Sequence, residues 1–135
     1  MDGEKVLIWC YGAIAGIFQF LFGGWTLLIQ TLLAVATFDI ITGFWVGAKN
    51  AKANSRDLGA GFPRKIGMFM VVALAHLIDK ALGSATPIVQ TVALCWYIGK
   101  EGVSVTENLG KLGVPLPPFI VVALEQLQKE GNKDG

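Results

Sequence analysis

The chain has 135 residues, of which 53% are hydrophobic and 16% charged, and a formal net charge of +1; its mean hydropathy is +0.57. Soluble domains carry about 25% charged residues, so this balance excludes an ordinary water-soluble domain and predicts one membrane domain. The near-neutral charge gives no sign of a polyanionic partner.

The first apolar segment, "VLIWCYGAIAGIFQFLF", covers residues 6 to 22. Ala13-Ile14-Ala15 resembles a signal-peptidase site, but the apolar stretch before it is short and "MDGEK" has no net positive charge. The segment is therefore expected to stay as a first span. Gly23-Gly24 then allows a tight helical hairpin into a second segment, residues 25 to 48. As a helix that segment is about 36 Å long, enough to cross a hydrocarbon core of about 30 Å. Its interior holds Gln30, a few threonines and Asp39. A charge at the bilayer centre costs about 2.5 to 3.5 kcal/mol. Three readings of Asp39 stay open: paired inside the bundle, facing water in an oligomeric pore, or placed at a helix end.

Next comes "AKNAKANSRDLGAGFPRK", with Lys49, Lys52, Arg56, Arg64 and Lys65 against the single acid Asp57. Residues 49 to 65 are read as a basic loop that stays in the cytoplasm and meets anionic lipid on the inner face. It lacks the interleaved aromatics of a nucleic-acid patch. Third and fourth apolar segments follow at 66 to 82 and 85 to 99, the latter after Thr86-Pro87, where proline suits a first helical turn. Both are short, so three to four spans are expected. Four place both termini in the cytoplasm; three put one outside. His76 and Asp79 lie one turn apart toward the outer end of the third, either as structural hydrogen-bonding groups or as a proton relay.

The pattern changes at "GKEGVSVTENLGKLGVPLPP". Ile98, Val105, Leu109 and Leu112 form one apolar face, while Lys100, Glu101, Ser104, Glu107, Asn108 and Lys111 take the others, as in an amphipathic helix continuing the fourth segment. Gly113 and Pro115 end it. A short helix, "FIVVALEQLQKE", puts Ile120, Leu124 and Leu127 on one side and Glu125 with Lys129 on the other, before a tail "GNKDG" expected to be disordered. The fold class is thus an all-α integral membrane protein, with three to four short transmembrane helices and an amphipathic C-terminal helical region. Residues 1 to 113 form the membrane domain, and 114 to 135 a Pro-rich turn, a short helix and the tail.

Gly12 with Gly16 and Gly43 with Gly47 are GxxxG pairs that let helix backbones approach, and one pair is expected at a helix contact. Cys10 and Cys95 lie in apolar runs and read as two buried free thiols. With one histidine, no Gly-rich phosphate loop and no serine or cysteine beside a base, no enzyme, metal site or cofactor is expected.

Four pieces in order, "FDIITGFWVGAK", "NSRDLGAGFPRK", "HLIDKALG" and "GKEGVSVTENLGKLGVPLPP", resemble phage holins of the toxin-secretion/phage-lysis family (holin family 4 type) over about residues 35 to 118. Glu101, Ser104, Glu107, Asn108, Gly113, Pro115 and Pro117 stand where that family's C-terminal motif expects them, whereas Lys100 replaces its usual asparagine. The C-terminal helix is also more apolar than the family's lysine-rich one. The resemblance implies a protein that self-associates in the bacterial cytoplasmic membrane and permeabilises it at a set time, releasing an endolysin or a toxin. Asp39, His76, Asp79, Glu101, Ser104, Glu107 and Asn108 would be its polar contacts. An antiholin, acting as a partner or as the protein's own role, and a small scaffold or transporter subunit are the rival readings.

Overall fold

The computed structural model describes residues 2–50 and 55–133, and within them the side chains of 2–50 and 61–132. Lys52, the Arg56 side chain and the last two residues of the expected tail lie outside that description. Five helices follow one another: α1 (Gly3–Phe22), α2 (Leu27–Lys49), α3 (Ser55–Ala81), α4 (Ile88–Lys111) and α5 (Pro118–Lys133). Among the described residues there is no strand. Three helices are long and apolar enough to cross a membrane: α1, α2 and the 61–81 part of α3.

The helix ends are closed by local chemistry. Gly23, with φ 76°, ends α1 and donates its N–H to the Gln19 carbonyl, and the Thr26 hydroxyl accepts from Ile29 N–H to start α2. In the turn between them, glutamine amides donate to the carbonyls of Phe22 (from Gln90), Gly23 (from Gln19) and Trp25 (from Gln30). Where water is scarce, such carbonyls would otherwise go unpaired. Gly83 and Gly113, both at positive φ, follow α3 and α4. Ser84 N–H reaches the Asp79 carbonyl and Val114 N–H the Leu109 carbonyl, the long bond of a Schellman closure.

The core lies where α2, α3 and α4 meet: Ile29, Leu32 and Ala36, then Met68 and Val72, then Leu94 and Ile98. Because α1 ends, α3 ends and α4 begins at one end of the bundle, α4 runs alongside α2 and opposite to α3. No residue of α1 is buried. Its Phe18 and Phe22 touch the core, and its other large side chains, from Leu7 and Ile8 to Ile17, stay exposed.

The structure corrects three expectations. The loop expected over 49–65 is shorter, because α3 starts at Ser55 and continues through Pro63. An interior proline removes a helical hydrogen bond, yet Phe62, Ile66, Phe69 and Ala73 keep a helical period through it, and Lys65 turns inward to bury its charge in ion pairs. The tail was expected to be disordered from Gly131 on; instead Gly131 and Asn132 continue α5, because the missing side chain lets α5 lie on the backbone of Trp96, 2.8 Å from where a Cβ would stand. Finally, Cys10 is exposed and Cys95 half-buried where two buried thiols were expected, because α1 packs on the core only through Phe18 and Phe22. Of the two GxxxG pairs, a Cβ on Gly12 or Gly16 would meet nothing within 4 Å, whereas one on Gly43 would stand 3.7 Å from the Asn108 amide nitrogen of α4, a helix contact of the kind expected for one pair; Gly47 is half-buried. Between α4 and α5, closer approaches are made at Gly99, Gly102 and Gly131.

A Cβ on Gly99 would stand 2.7 Å from Gln128 N and 2.8 Å from the Leu124 carbonyl oxygen, both backbone atoms that cannot swing aside. Gly99→Ala is therefore expected to destabilise the α4–α5 pair by about 1 to 3 kcal/mol, the usual range for overpacking. Limited proteolysis in detergent should show faster cleavage after residue 113, while Gly12→Ala leaves the pattern of the parent chain.

Candidate functional site

A charged cluster inside the bundle is assembled by three helices. Lys65 of α3 reaches between Asp39 of α2 and Glu101 of α4. Its Nζ lies 2.6 Å from Asp39 Oδ2 and is in direct contact with Glu101 Oε2. The side chains are 15%, 17% and 12% exposed, for Lys65, Asp39 and Glu101 respectively. Asn108 of α4 donates its amide to the other Asp39 oxygen at 3.2 Å and to the Thr42 hydroxyl at 3.1 Å. Thr42 in turn donates to the Phe38 carbonyl at 2.8 Å. One ammonium thus faces two carboxylates, and a neutral amide and hydroxyl complete the shell around Asp39.

Helical rise puts the three ions at one depth. Asp39 is about 18 Å along α2 from Leu27, Glu101 about 20 Å along α4 from Ile88, and Lys65 about 24 Å along α3 from Ala81. A carboxylate that far from either helix end cannot reach the headgroups of a core of about 30 Å. In such a medium an ion persists when it is paired and hydrogen-bonded. Of the readings open for Asp39, pairing inside the bundle is the one observed.

A second polar site closes the opposite end. Asp79, 3% exposed, accepts from Val89 N–H at 3.0 Å and Gln90 N–H at 2.9 Å, holding the otherwise unpaired donors of the α4 N-terminus. Its backbone carbonyl meanwhile closes α3. His76 packs against Gly23, where a Cβ would stand 2.5 Å from His76 Cε1, and its buried Nδ1 has no hydrogen-bond partner among the described residues. Among the described residues, no hydrogen bond joins His76 to Asp79, so the expected pair serves two separate contacts. Lys80 lies over the Phe20 ring, 4.7 Å from its centroid.

Asp39, Glu101 and Asn108 are brought together. Glu107 is exposed and Ser104 half-buried on the same helix, and among the described residues neither bonds to the cluster. Glu101 does not lie on a solvated face: it is only 9% exposed, because α4 turns its polar side toward α2 and α3 at this level. Of the expected basic loop, Lys49 ends α2 and Arg64 is exposed on α3, whereas Lys65 belongs to the ion cluster. Thr42 and Lys65 escaped the sequence reading as members of this site. The usable signal was the spacing of Lys65 from Met68, Phe69 and Val72, three, four and seven residues on, which places it on the inward face of a helix.

The model of the bacteriophage holin family matches residues 16–129 of the chain. An uncharacterized protein of Halalkalibacterium halodurans is 34% identical over 134 residues, 96% of this chain and 99% of its own length. An uncharacterized 14.9 kDa protein from the nagH 3′ region of Clostridium perfringens is 31% identical, over 90% of this chain and 92% of its own. A protein of Bacillus phage phi105 named "Probable holin" is 32% identical, over 78% of this chain and 77% of its own. No solved structure matches.

Removing the shared cation is the sharpest test of the cluster. Lys65→Met leaves two carboxylates facing each other, and breaking a buried pair in this way costs about 3 to 5 kcal/mol. Thermal unfolding in detergent, followed by circular dichroism, is expected to show a markedly lower midpoint. The triple variant Asp39→Leu, Lys65→Met, Glu101→Leu should recover most of the loss.

Proposed function

The chain belongs to the bacteriophage holin family, and from that premise we propose that it acts as a holin. It accumulates in the bacterial cytoplasmic membrane, assembles with copies of itself, and at a set time opens a lesion through which an endolysin or a toxin leaves the cell. The basic segment containing Lys49 and Arg64 faces the cytoplasm and anionic lipid, following the excess of positive charge on that side.

The observation that carries this reading is the buried Asp39–Lys65–Glu101 cluster inside a bundle whose outer faces are hydrocarbon. While Lys65 is held by both carboxylates, α2, α3 and α4 keep their ions away from lipid. Three ions on three helices also provide what a water-lined opening requires. If α4 swings away from α2 and α3, the same groups become a charged lining that water can solvate, at the moment that their mutual pairing is lost. The trigger is a critical density of copies or a fall in membrane potential. The field acts directly on buried charge, at about 2.3 kcal/mol per elementary charge moved across 100 mV.

Induced expression in bacteria, with and without a co-expressed cytoplasmic cell-wall hydrolase, tests the reading. Abrupt lysis that requires the hydrolase is the expected result. Steady growth with the protein present in the membrane would reject the holin reading in favour of an inhibitor of such lesions or a scaffold. Asp39→Asn and Glu101→Gln weaken the hold on Lys65 and are expected to bring lysis forward. Unchanged lysis timing and oligomer size in both variants would take the cluster out of the mechanism.

A further inference from the structure

Between α2 and α3 the packing is incomplete. A groove of about 420 Å³ separates them, closed at one end by Leu21 and Phe22 of α1. One wall is the α2 stripe of Leu33, Thr37 and Ile40, and the other the α3 stripe of Phe62, Ile66 and Met70, each at helical spacing. Ala36 and Ala73, both buried, form part of the floor, and the stem of Lys65 lies beside them. Two such stripes on neighbouring helices would ordinarily interdigitate to native density. Here they leave space, and Phe62, Ile66 and Met70 remain at least half exposed.

We propose that this groove holds one acyl chain of a bilayer phospholipid. Its lining is almost wholly apolar, and its side-chain donors are already engaged within the chain. The Thr37 hydroxyl donates to the Leu33 carbonyl at 2.7 Å, and the Lys65 ammonium is taken by Asp39 and Glu101. A hydrocarbon occupant fits, since an apolar cavity gains nothing from water. Both walls belong to helices apolar enough to cross a membrane, so the groove opens where lipid chains are the surrounding solvent. The length agrees as well. From Phe62 to Ala73 the α3 wall is about 16 Å long, close to half of a hydrocarbon core of about 30 Å, the share of one leaflet. The bound chain lies along the Lys65 stem, covers the ion cluster from the side, and sets the α2–α3 separation at which Lys65 meets both carboxylates. This inference rests on residence in the membrane and not on the opening of a lesion.

The full-length protein, reconstituted in phosphatidylcholine and phosphatidylglycerol vesicles with a tracer phospholipid carrying a diazirine on its acyl chain, supplies the test. After illumination, adducts are mapped by mass spectrometry. Expected are adducts on Phe62, Ile66 and Met70 at several times the level on Leu74, which is exposed elsewhere on α3. They should fall severalfold in Thr37→Trp, which fills the groove from an exposed position, and in Ala73→Leu, which fills it from the floor. Labelling of Ile8 and Ile14 on α1 stays level in all three proteins and reports that each is inserted. Equal labelling of groove residues and Leu74, or groove adducts unaffected by both filling variants, would overturn the proposal. So would crosslinks from the groove to a second copy in place of lipid adducts. None of these outcomes depends on whether the protein causes lysis.

Discussion

Everything in this bundle is organised around an ammonium shared by two carboxylates on different helices. Lys65 can meet Asp39 and Glu101 together only if α2, α3 and α4 take one rotation and one relative height. A residue's shift along any of them displaces an ion by about 1.5 Å. Replacing such a buried cluster by apolar groups is often neutral or stabilising, so its contribution lies in selecting a single register. Apolar faces by themselves select poorly in a membrane, because lipid tails are as good a solvent for leucine as another helix is.

The neighbouring features serve that register. At the end of the bundle away from the ions, the Asp79 carboxylate holds the first N–H groups of α4 while its carbonyl closes α3, so one residue ties the start of one helix to the end of another. Gln90, the next donor along, fastens α4 to the α1–α2 turn through Phe22. On the outer side, Gly99 lets the backbone of α5 lie against α4, and Gly102 leaves room for the Leu124 side chain. Helix α4 is therefore gripped at its start and along its back, and its remaining face presents Glu101 and Asn108 inward.

This arrangement explains how a small chain with exposed apolar faces carries ions without exposing them. In the closed bundle the charges are internal, and α1 presents apolar side chains along almost its whole length. The elements that hold the ions are separate from those that meet the lipid. Rearrangement of α4 relative to α2 and α3 would thus change the character of the interior while leaving the outer surface compatible with the bilayer.

The residues by themselves determined a great deal. Membrane class, all-helical fold and the sites of the turns follow from long apolar runs punctuated by Gly23-Gly24, Thr86-Pro87 and Gly113, because a bilayer permits only structures that satisfy their own backbone and because glycine enters left-handed turns freely while proline suits a first helical turn. Family membership was legible in the motif from Glu101 to Pro117, as was the need for Asp39 to find a partner. The identity of that partner was not. Lys65 sits among basic residues after a proline, and local reading assigns it to a loop; only the packing of α3 against α2 and α4 turns it inward. The glycine contacts show the same division. GxxxG spacing describes which faces are small, but whether another backbone lies opposite is decided by tertiary structure, and it lies opposite Gly99 and Gly131 while Gly12 and Gly16 meet none among the described residues. Sequence pattern records the preference of each residue for its surroundings, whereas the pairing of residues far apart in the chain depends on distances that exist only once the helices have packed.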